Sequence, residues 1–121
     1  MPRDVDPRNR GEALMAEGQR IIGIDPGLVD TGYGVVEVSR CSVRLVEAGL
    51  VRTTASARLE VRLKEIFDGV LSILSEHLPA AVLVEDLYTS YRHPRTAVLM
   101  GHARGVILLA AGARGIEVVS Y

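Results

Sequence analysis

The sequence predicts an α/β domain built on a mixed sheet, in which three antiparallel strands are followed by parallel strands and covering helices. Short apolar runs separated by turn residues fill the first half of the chain. A long amphipathic helical pattern follows, and strand and helix patterns then alternate, which is typical of parallel strands joined by helices. With 121 residues, 48% hydrophobic and 24% charged, one domain with a substantial core is expected.

The first half of the chain predicts an antiparallel meander. Residues 1–20 mix charged residues with Pro and Gly, which predicts a disordered N-terminal extension and leaves residues 21–121 as the folded domain. Apolar runs predict strands at residues 21–24, 35–38 and 43–51. The polar residues 39–42 suit the hairpin turn between the last two strands.

The second half predicts a helix, a strand, a second helix and a last strand. Apolar residues at helical spacing predict the first helix over residues 56–78, which Pro79 ends. A strand at 81–84, a loop over 88–94, a helix over 95–113 and a strand at 116–119 follow. The second helix is rich in small residues, which we expect to pack tightly on the sheet: Gly101, Ala103, Gly105, Ala110, Ala111 and Gly112.

Composition excludes some classes of protein. Cys41 is the only cysteine, so an internal disulfide and a cysteine-based zinc site are excluded, and a cytoplasmic protein is expected. We expect no membrane association, because the N-terminus lacks a secretory pattern and no apolar run approaches the roughly 20 residues that span a bilayer. The formal net charge of −1 neither requires nor excludes nucleic acid.

Two predicted strands end in acidic residues. Asp25 ends the first strand, beside the sharp turn Pro26-Gly27, and Glu85 ends the strand at 81–84, with Asp86 next. If these strands are neighbours in the sheet, both carboxylates come within reach of one divalent cation. Because side chains alternate along a strand, Asp86 is expected to point away from Glu85. Asp25 alone could also be an ordinary turn aspartate.

Four segments together resemble the RuvC family of Holliday-junction resolvases, which have an RNase H-like fold. They are Ile22-Gly23-Ile24-Asp25-Pro26-Gly27, Thr31-Gly32-Tyr33-Gly34, Glu85-Asp86-Leu87-Tyr88 and Gly101-His102-Ala103-Arg104-Gly105-Val106. The resemblance implies a structure-selective endonuclease that cuts four-way junction DNA symmetrically. It also implies a homodimer, two Mg²⁺ ions per complete site with Mn²⁺ able to substitute, and branch-migration helicase proteins as partners.

The resemblance also implies roles for individual residues. Asp25 and Glu85 match the first two acidic metal ligands of the family. Tyr88 matches an aromatic residue near the junction centre, and Arg92 and Arg95 are expected to contact phosphates. Two alternatives remain open. Tyr88 could be an ordinary loop aromatic that packs on the domain, and Arg92 and Arg95 could belong to a solvated basic loop. The family usually has a lysine-asparagine pair in this loop, and Arg104 is expected to be structural.

The family continues beyond the position of Tyr121 into a further helix that carries the remaining metal ligands. We therefore expect an incomplete domain with its final helix missing, an N-terminal fragment with little cleavage activity alone. Two other functions remain open. One is a non-catalytic nucleic-acid-binding module with the same fold. The other is an actin-like nucleotide-binding fragment with the hairpin of residues 27–34 around a phosphate, although no second phosphate loop matches.

Overall fold

The structure, a computed structural model, describes residues 18–86 and 93–121. Five strands and two helices alternate in it. The strands are β1 (Gln19–Asp25), β2 (Asp30–Val38), β3 (Val43–Arg52), β4 (Ala81–Val84) and β5 (Glu117–Ser120). The helices are α1 (Leu59–His77), between β3 and β4, and α2 (Pro94–Ala113), between β4 and β5.

The strands form one mixed sheet in the order β3-β2-β1-β4-β5. β1, β2 and β3 pair antiparallel as a meander, and β4 and β5 add parallel on the other side of β1. Each parallel strand follows a helix, as expected for crossover connections. The predicted mixed sheet of antiparallel and then parallel strands is confirmed.

Two strands are longer than the apolar runs predicted. β1 begins at Gln19, inside the segment predicted to be disordered, because Gln19 and Arg20 pair with Val38 and Glu37 of β2. β2 begins at Asp30 rather than residue 35, so the small-residue segment after Asp25 is a strand. Polar and glycine residues join these strands because their backbone groups pair with neighbouring strands. Residues 1–17 of the predicted extension lie outside the described residues.

Local backbone chemistry explains the helix ends. α1 begins at Leu59, three residues later than predicted, and ends at His77. Leu78 adopts a left-handed conformation with φ of 46°, and its N–H donates to the Leu74 carbonyl at 3.0 Å. α2 begins with Pro94 in its first turn, where a missing N–H costs no helical hydrogen bond.

Both helices cover the same face of the sheet. Side chains from β1, β2, β4 and the two helices form one buried cluster: Ile22, Ile24, Val35, Ile66, Val70, Ile73, Leu74, Val82, Val84, Ala103, Ile107, Ala110 and Ala111. The alternation of Ile22 and Ile24 in β1, matched by Val82 and Val84 in β4, directs these strands' apolar side chains to the helices. Asp25 follows Ile24 and Glu85 follows Val84, so the alternation places both acidic side chains on the opposite face of the sheet.

The small residues of α2 serve two different purposes. Ala103, Ala110 and Ala111 are fully buried, so the prediction of close packing is confirmed for them. It is wrong for Gly105 and Gly112, which are exposed and have no other atom within 4 Å of the place where a Cβ would lie. The sequence pattern could not separate these groups, because it does not fix which face of the helix meets the sheet.

α2 is long and apolar enough to cross a membrane by length and composition alone. An 18-residue window of this 20-residue helix has a mean hydropathy of 1.4, and 22% of that window is buried. The helix contributes Ala103, Ile107, Ala110 and Ala111 to the core shared with α1 and the sheet, as core helices do.

The opposite face of the sheet carries exposed apolar side chains. Leu45 and Leu50 of β3 are 63% and 51% exposed, and Val119 of β5 is 42% exposed. Gly23 and Gly34 pair with each other on this face, with nothing within 4 Å of either added Cβ. Within residues 18–86 and 93–121, neither helix packs on this face, so its apolar side chains are left exposed.

Candidate active site

Asp25 and Glu85 lie side by side at the carboxyl ends of two adjacent parallel strands. Ile24 of β1 is paired with Val84 of β4, so the next residue of each strand stands at the same level. The Glu85 N–H donates to the Ile24 carbonyl at 3.3 Å, which continues the pairing one step beyond β4. Asp25 is exposed and Glu85 is half-buried. The expected adjacency of the two acid-tipped strands is therefore present.

The two carboxyl groups interact directly. The pKa of Glu85 is raised, first by a side-chain hydrogen bond with Asp25, then by the charge of Asp25 and least by desolvation. A raised pKa for one member of a carboxylate pair is the signature of two like charges that share a small space. A divalent cation between them would remove this repulsion, and hard carboxylate oxygens are the ligands that Mg²⁺ prefers.

The loop that follows Asp25 is held by a threonine inside it. Thr31 is fully buried, and its hydroxyl donates to the Gly27 carbonyl at 2.8 Å while accepting the Gly27 N–H at 3.3 Å. A Cβ on Gly27 would lie 2.0 Å from the Asp30 carbonyl oxygen, so only glycine fits there. The turn is thus fixed by sterics and by two hydrogen bonds next to Asp25.

Two further residues anchor the same loop from outside. The Thr53 hydroxyl donates to the Leu28 carbonyl at 2.7 Å, and Arg62 of α1 donates from Nε to the Thr53 hydroxyl at 3.1 Å. Sequence reasoning missed Thr53 and Arg62, because contacts over 25 and 9 residues leave no local signal. Together with Thr31, they tie the Asp25 loop to β3 and α1.

A shallow depression of about 350 Å³ adjoins Asp25 on the uncovered sheet face. Its floor is backbone, because glycines occupy paired positions of β1 and β2. Its lining residues are Gly23, Ile24, Asp25, Gly32, Tyr33, Gly34 and Tyr121. The absence of side chains on three of these residues leaves room beside the carboxylate for a bulky ligand.

Asp86 and Arg104 lie on the helix side of the acidic pair. Arg104 of α2 donates from Nη2 to the Asp86 carboxylate at 3.0 Å and from Nε to the Glu85 backbone carbonyl at 3.2 Å. Asp86 therefore pairs with α2 while the Glu85 carboxyl meets Asp25. This agrees with the expectation that these neighbouring acids point in opposite directions.

The predicted DNA-contacting residues are only partly described. Tyr88 and Arg92 lie outside the described residues. Arg95 is exposed in the first turn of α2, next to Pro94. Its position on this helix end leaves its guanidinium open to solvent.

A second group of acidic and histidine side chains could hold a metal ion by distance alone. Ligand atoms of Glu47, Glu76 and His77 lie within 4.8 Å of one another. His77 is 7% exposed and contacts Glu47 through Nε2 at 2.7 Å. His77 also contacts Arg20, which precedes Asp25 by five residues of β1, about 16 Å along a strand. This group is therefore well separated from the acidic pair.

The hydrogen bonds around His77 favour a structural role for this second group. Arg20 Nη1 lies 3.0 Å from His77 Nδ1, and an arginine can only donate, so Nδ1 must accept. The neutral ring then carries its proton on Nε2 and donates it to Glu47. A metal ligand at Nε2 would require the other tautomer, whose Nδ1–H would face the arginine.

Comparison with known proteins assigns the family. The model of the family described as "Crossover junction endodeoxyribonuclease RuvC" matches residues 21–121, which include the whole acidic pair and the described sheet from Ile21 onward. The chain belongs to the RuvC family. The resemblance seen in the four sequence segments is thereby confirmed.

Curated RuvC proteins align with most of this chain. The RuvC of Rhodopirellula baltica is 45% identical over 101 residues, and that of Halorhodospira halophila is 43% identical over 102 residues. Each alignment covers 84% of this chain, but 57% and 60% of the respective relatives. The chain therefore spans less than two thirds of the length of the RuvC relatives it matches.

Solved structures agree with the fold. Thermus thermophilus RuvC in complex with a Holliday junction substrate has a TM-score of 0.76 and 33% identity, covering 85% of this chain and 64% of that chain. The yeast mitochondrial Holliday junction resolvase Ydc2 has a TM-score of 0.63 at 12% identity, covering 93% and 56%. The match to RuvC confirms the RNase H-like class of fold.

Proposed function

We propose that this chain forms the catalytic core of a Holliday-junction resolvase, an endonuclease that nicks four-way DNA junctions with the help of Mg²⁺. The observation that carries the proposal is the contact between Asp25 and Glu85 at the ends of two parallel strands. The family match supports the choice of reaction, because RuvC proteins are described as crossover junction endodeoxyribonucleases. The same match favours this function over the actin-like alternative.

Asp25 and Glu85 would hold divalent cations through carboxylate oxygens that are open to solvent. Two such cations, when bound, would supply an activated water and stabilise the leaving oxygen of an in-line displacement. The residues of this chain hold the two carboxylates in position. The buried strands fix the direction of the two carboxylates, and the Thr31–Gly27 hydrogen bonds hold the turn beside Asp25.

The glycine floor beside Asp25 and the arginine at the start of α2 support a DNA substrate. Gly23, Gly32 and Gly34 leave a depression next to the acidic pair, where a nucleic-acid strand could approach the carboxylates. Arg95 would contact a phosphate from the first turn of α2. Tyr88 and Arg92, proposed for stacking and phosphate contact, complete this set from the segment between β4 and α2.

The proposed assembly comes from the family resemblance. A homodimer with two sites related by a two-fold axis suits two symmetric cuts in a four-way junction, so we propose that the protein acts as a homodimer. Branch-migration helicase proteins are the proposed partners, and the cytoplasm is the proposed location. We propose that cleavage also needs the further metal ligands that the family resemblance implies in addition to Asp25 and Glu85.

The experiment compares junction cleavage by the complete gene product and by matched variants. Synthetic four-way junctions are incubated with Mg²⁺, and symmetric nicks are resolved on denaturing gels. Asp25→Asn and Glu85→Gln should each abolish nicking without loss of junction binding. The control variants Asp68→Asn and Glu60→Gln change exposed carboxylates of α1 and should retain nicking.

Two outcomes would contradict the proposal. Nicking that persists in both active-site variants would remove Asp25 and Glu85 from the chemistry. Junction binding without metal-dependent nicks by the unchanged complete protein would identify a non-catalytic nucleic-acid-binding module instead.

A further inference from the structure

Arg104 is the one described side chain of α2 that bonds to the backbone of an acidic-pair residue, among the hydrogen bonds resolved for residues 18–86 and 93–121. Its Nε donates to the Glu85 carbonyl at 3.2 Å. Its Nη2 donates to the Asp86 carboxylate at 3.0 Å and to the Ser120 hydroxyl at 2.7 Å. The side chain is 17% exposed, so these contacts form largely away from solvent.

We propose that Arg104 is a positioning residue that holds Glu85 in place for metal binding. The inference rests on the proposed function, since it assumes that Asp25 and Glu85 bind the cation together. Arg104 reaches the backbone of Glu85 and the adjoining Asp86 rather than the carboxylate that would bind the metal. It therefore acts on the metal through Glu85.

The backbone of Glu85 is held by its neighbours on several sides. β4 ends at Val84, so Glu85 lies one residue beyond the regular ladder. Its N–H is bonded to Ile24 of β1, its carbonyl is bonded to Arg104 of α2, and the N–H of Asp86 donates to the Tyr121 carbonyl at 2.7 Å. Arg104 is the side chain that completes these restraints, which together set the direction of the Glu85 side chain.

The Arg104 side chain also joins three elements of the fold. The Glu85 carbonyl and the Asp86 carboxylate follow β4, and Ser120 ends β5, so the guanidinium joins α2 to the ends of both strands.

The planar guanidinium is suited to this task. Three acceptors at the ends of two strands lie around one group, and the fork of an arginine presents several donors in fixed directions. A lysine ammonium has one nitrogen and cannot occupy both the Nε and the Nη2 positions. Arg104→Lys therefore breaks up this set of contacts while it preserves the charge.

The test measures the Mn²⁺ affinity of the 121-residue chain by water-proton relaxation. Positioning predicts that Arg104→Gln and Arg104→Lys each weaken Mn²⁺ binding about 10-fold or more, the lower end of the range seen when residues that orient metal ligands are lost. A purely electrostatic role predicts the opposite sign for Arg104→Gln, because removing a positive charge near a cation site strengthens binding. Unchanged or tighter binding in Arg104→Gln would overturn the proposal.

Matched variants separate positioning from general destabilisation. Asp86→Asn and Ser120→Ala each keep the Nε contact with Glu85 and should change Mn²⁺ affinity less than Arg104→Lys does. Arg40→Gln removes the same charge from the exposed β2–β3 turn and should leave the affinity unchanged. If Arg104→Gln unfolds below the measuring temperature, Arg104→Lys becomes the deciding variant. An unchanged Mn²⁺ affinity in Arg104→Lys would then overturn the positioning role.

The two proposals fail in different ways. Loss of Mn²⁺ binding in Asp25→Asn and Glu85→Gln, with normal binding in both Arg104 variants, would overturn the positioning role alone. Absence of saturable Mn²⁺ binding in the unchanged chain would overturn the metal pair, and with it the positioning role.

Discussion

Asp25 and Glu85 directly follow Ile24 and Val84, which are register partners in two adjacent parallel strands, and the side chain of Asp25 raises the pKa of Glu85. The pair places two acidic groups on the face of the sheet opposite the helices. Because like charges share this space, the protein without metal holds a repulsion that a divalent cation would relieve.

The first prediction concerns the stability of the metal-free chain at different pH values. The pKa of Glu85 is raised, so Glu85 is protonated and free of charge repulsion below the ordinary glutamate range, near pH 4. As the pH rises through the raised pKa of Glu85, its charge forms beside Asp25 and stability is lost. Glu85→Gln never acquires that charge, so its melting temperature in EDTA should exceed that of the unchanged chain at pH 7.

The control for this prediction is Glu60→Gln, an exposed carboxylate in the first turn of α1. Glu60→Gln should not raise the melting temperature at pH 7. If Glu85→Gln melts at or below the temperature of the unchanged chain at pH 7, and gains stability only in acid, the proposed repulsion is contradicted.

The second prediction concerns the turn beside Asp25. Gly27→Ala should lower the free energy of unfolding by about 1–3 kcal/mol, because the new Cβ would lie 2.0 Å from the Asp30 carbonyl oxygen. Gly34→Ala on β2 is the matched control, since nothing lies within 4 Å of its Cβ. Urea denaturation measures both. Equal stability of the two variants would be inconsistent with the close contact in the turn.

The third prediction concerns the exposed glycine of α2. Gly105→Ala should raise the free energy of unfolding by about 0.5–1 kcal/mol, because alanine favours the helix and meets no neighbouring atom. Gly69→Ala of α1 should have the opposite effect, since its Cβ would lie 2.6 Å from Val51 Cγ1. Destabilisation by Gly105→Ala would mean that the exposed face of α2 is closely packed after all.

The fourth prediction concerns the buried histidine at the end of α1. His77→Ala should cost about 1–3 kcal/mol of unfolding free energy, because Arg20 and Glu47 lose their shared partner. His102→Ala, exposed on α2, should cost much less. The stabilisation of the chain by Mn²⁺ should persist in His77→Ala. If Mn²⁺ no longer stabilises His77→Ala but still stabilises Asp25→Asn, the metal binds at His77 instead of at the acidic pair.

Sequence patterns predicted the parts of this fold that depend on local chemistry. The strand Ala81–Val84 and the helix end at Ala113 were predicted at the residues observed. The pairing of Asp25 with Glu85 could also be anticipated, because both acids follow short apolar strands that a helical crossover makes parallel. These features depend on residue order and on the alternation of side chains, both of which a sequence displays.

Other features depend on contacts that no local pattern encodes. The burial of His77 results from Arg20 and Glu47, which are 57 and 30 residues away. The tether from Arg104 to Glu85 spans 19 residues and depends on how α2 is rotated against the sheet. Hydrophobic periodicity did not fix that rotation, and for the same reason the exposure of Gly105 was not predicted.

The most direct test of the shared cation site is a Mn²⁺ titration of the chain followed by paramagnetic broadening of its assigned amide signals. If Asp25 and Glu85 bind the ion together, broadening should centre on the ends of β1 and β4, and it should disappear in Asp25→Asn and in Glu85→Gln alike. Broadening centred on Glu47 and His77, or broadening at β1 that survives both substitutions, would contradict a cation held by this acidic pair.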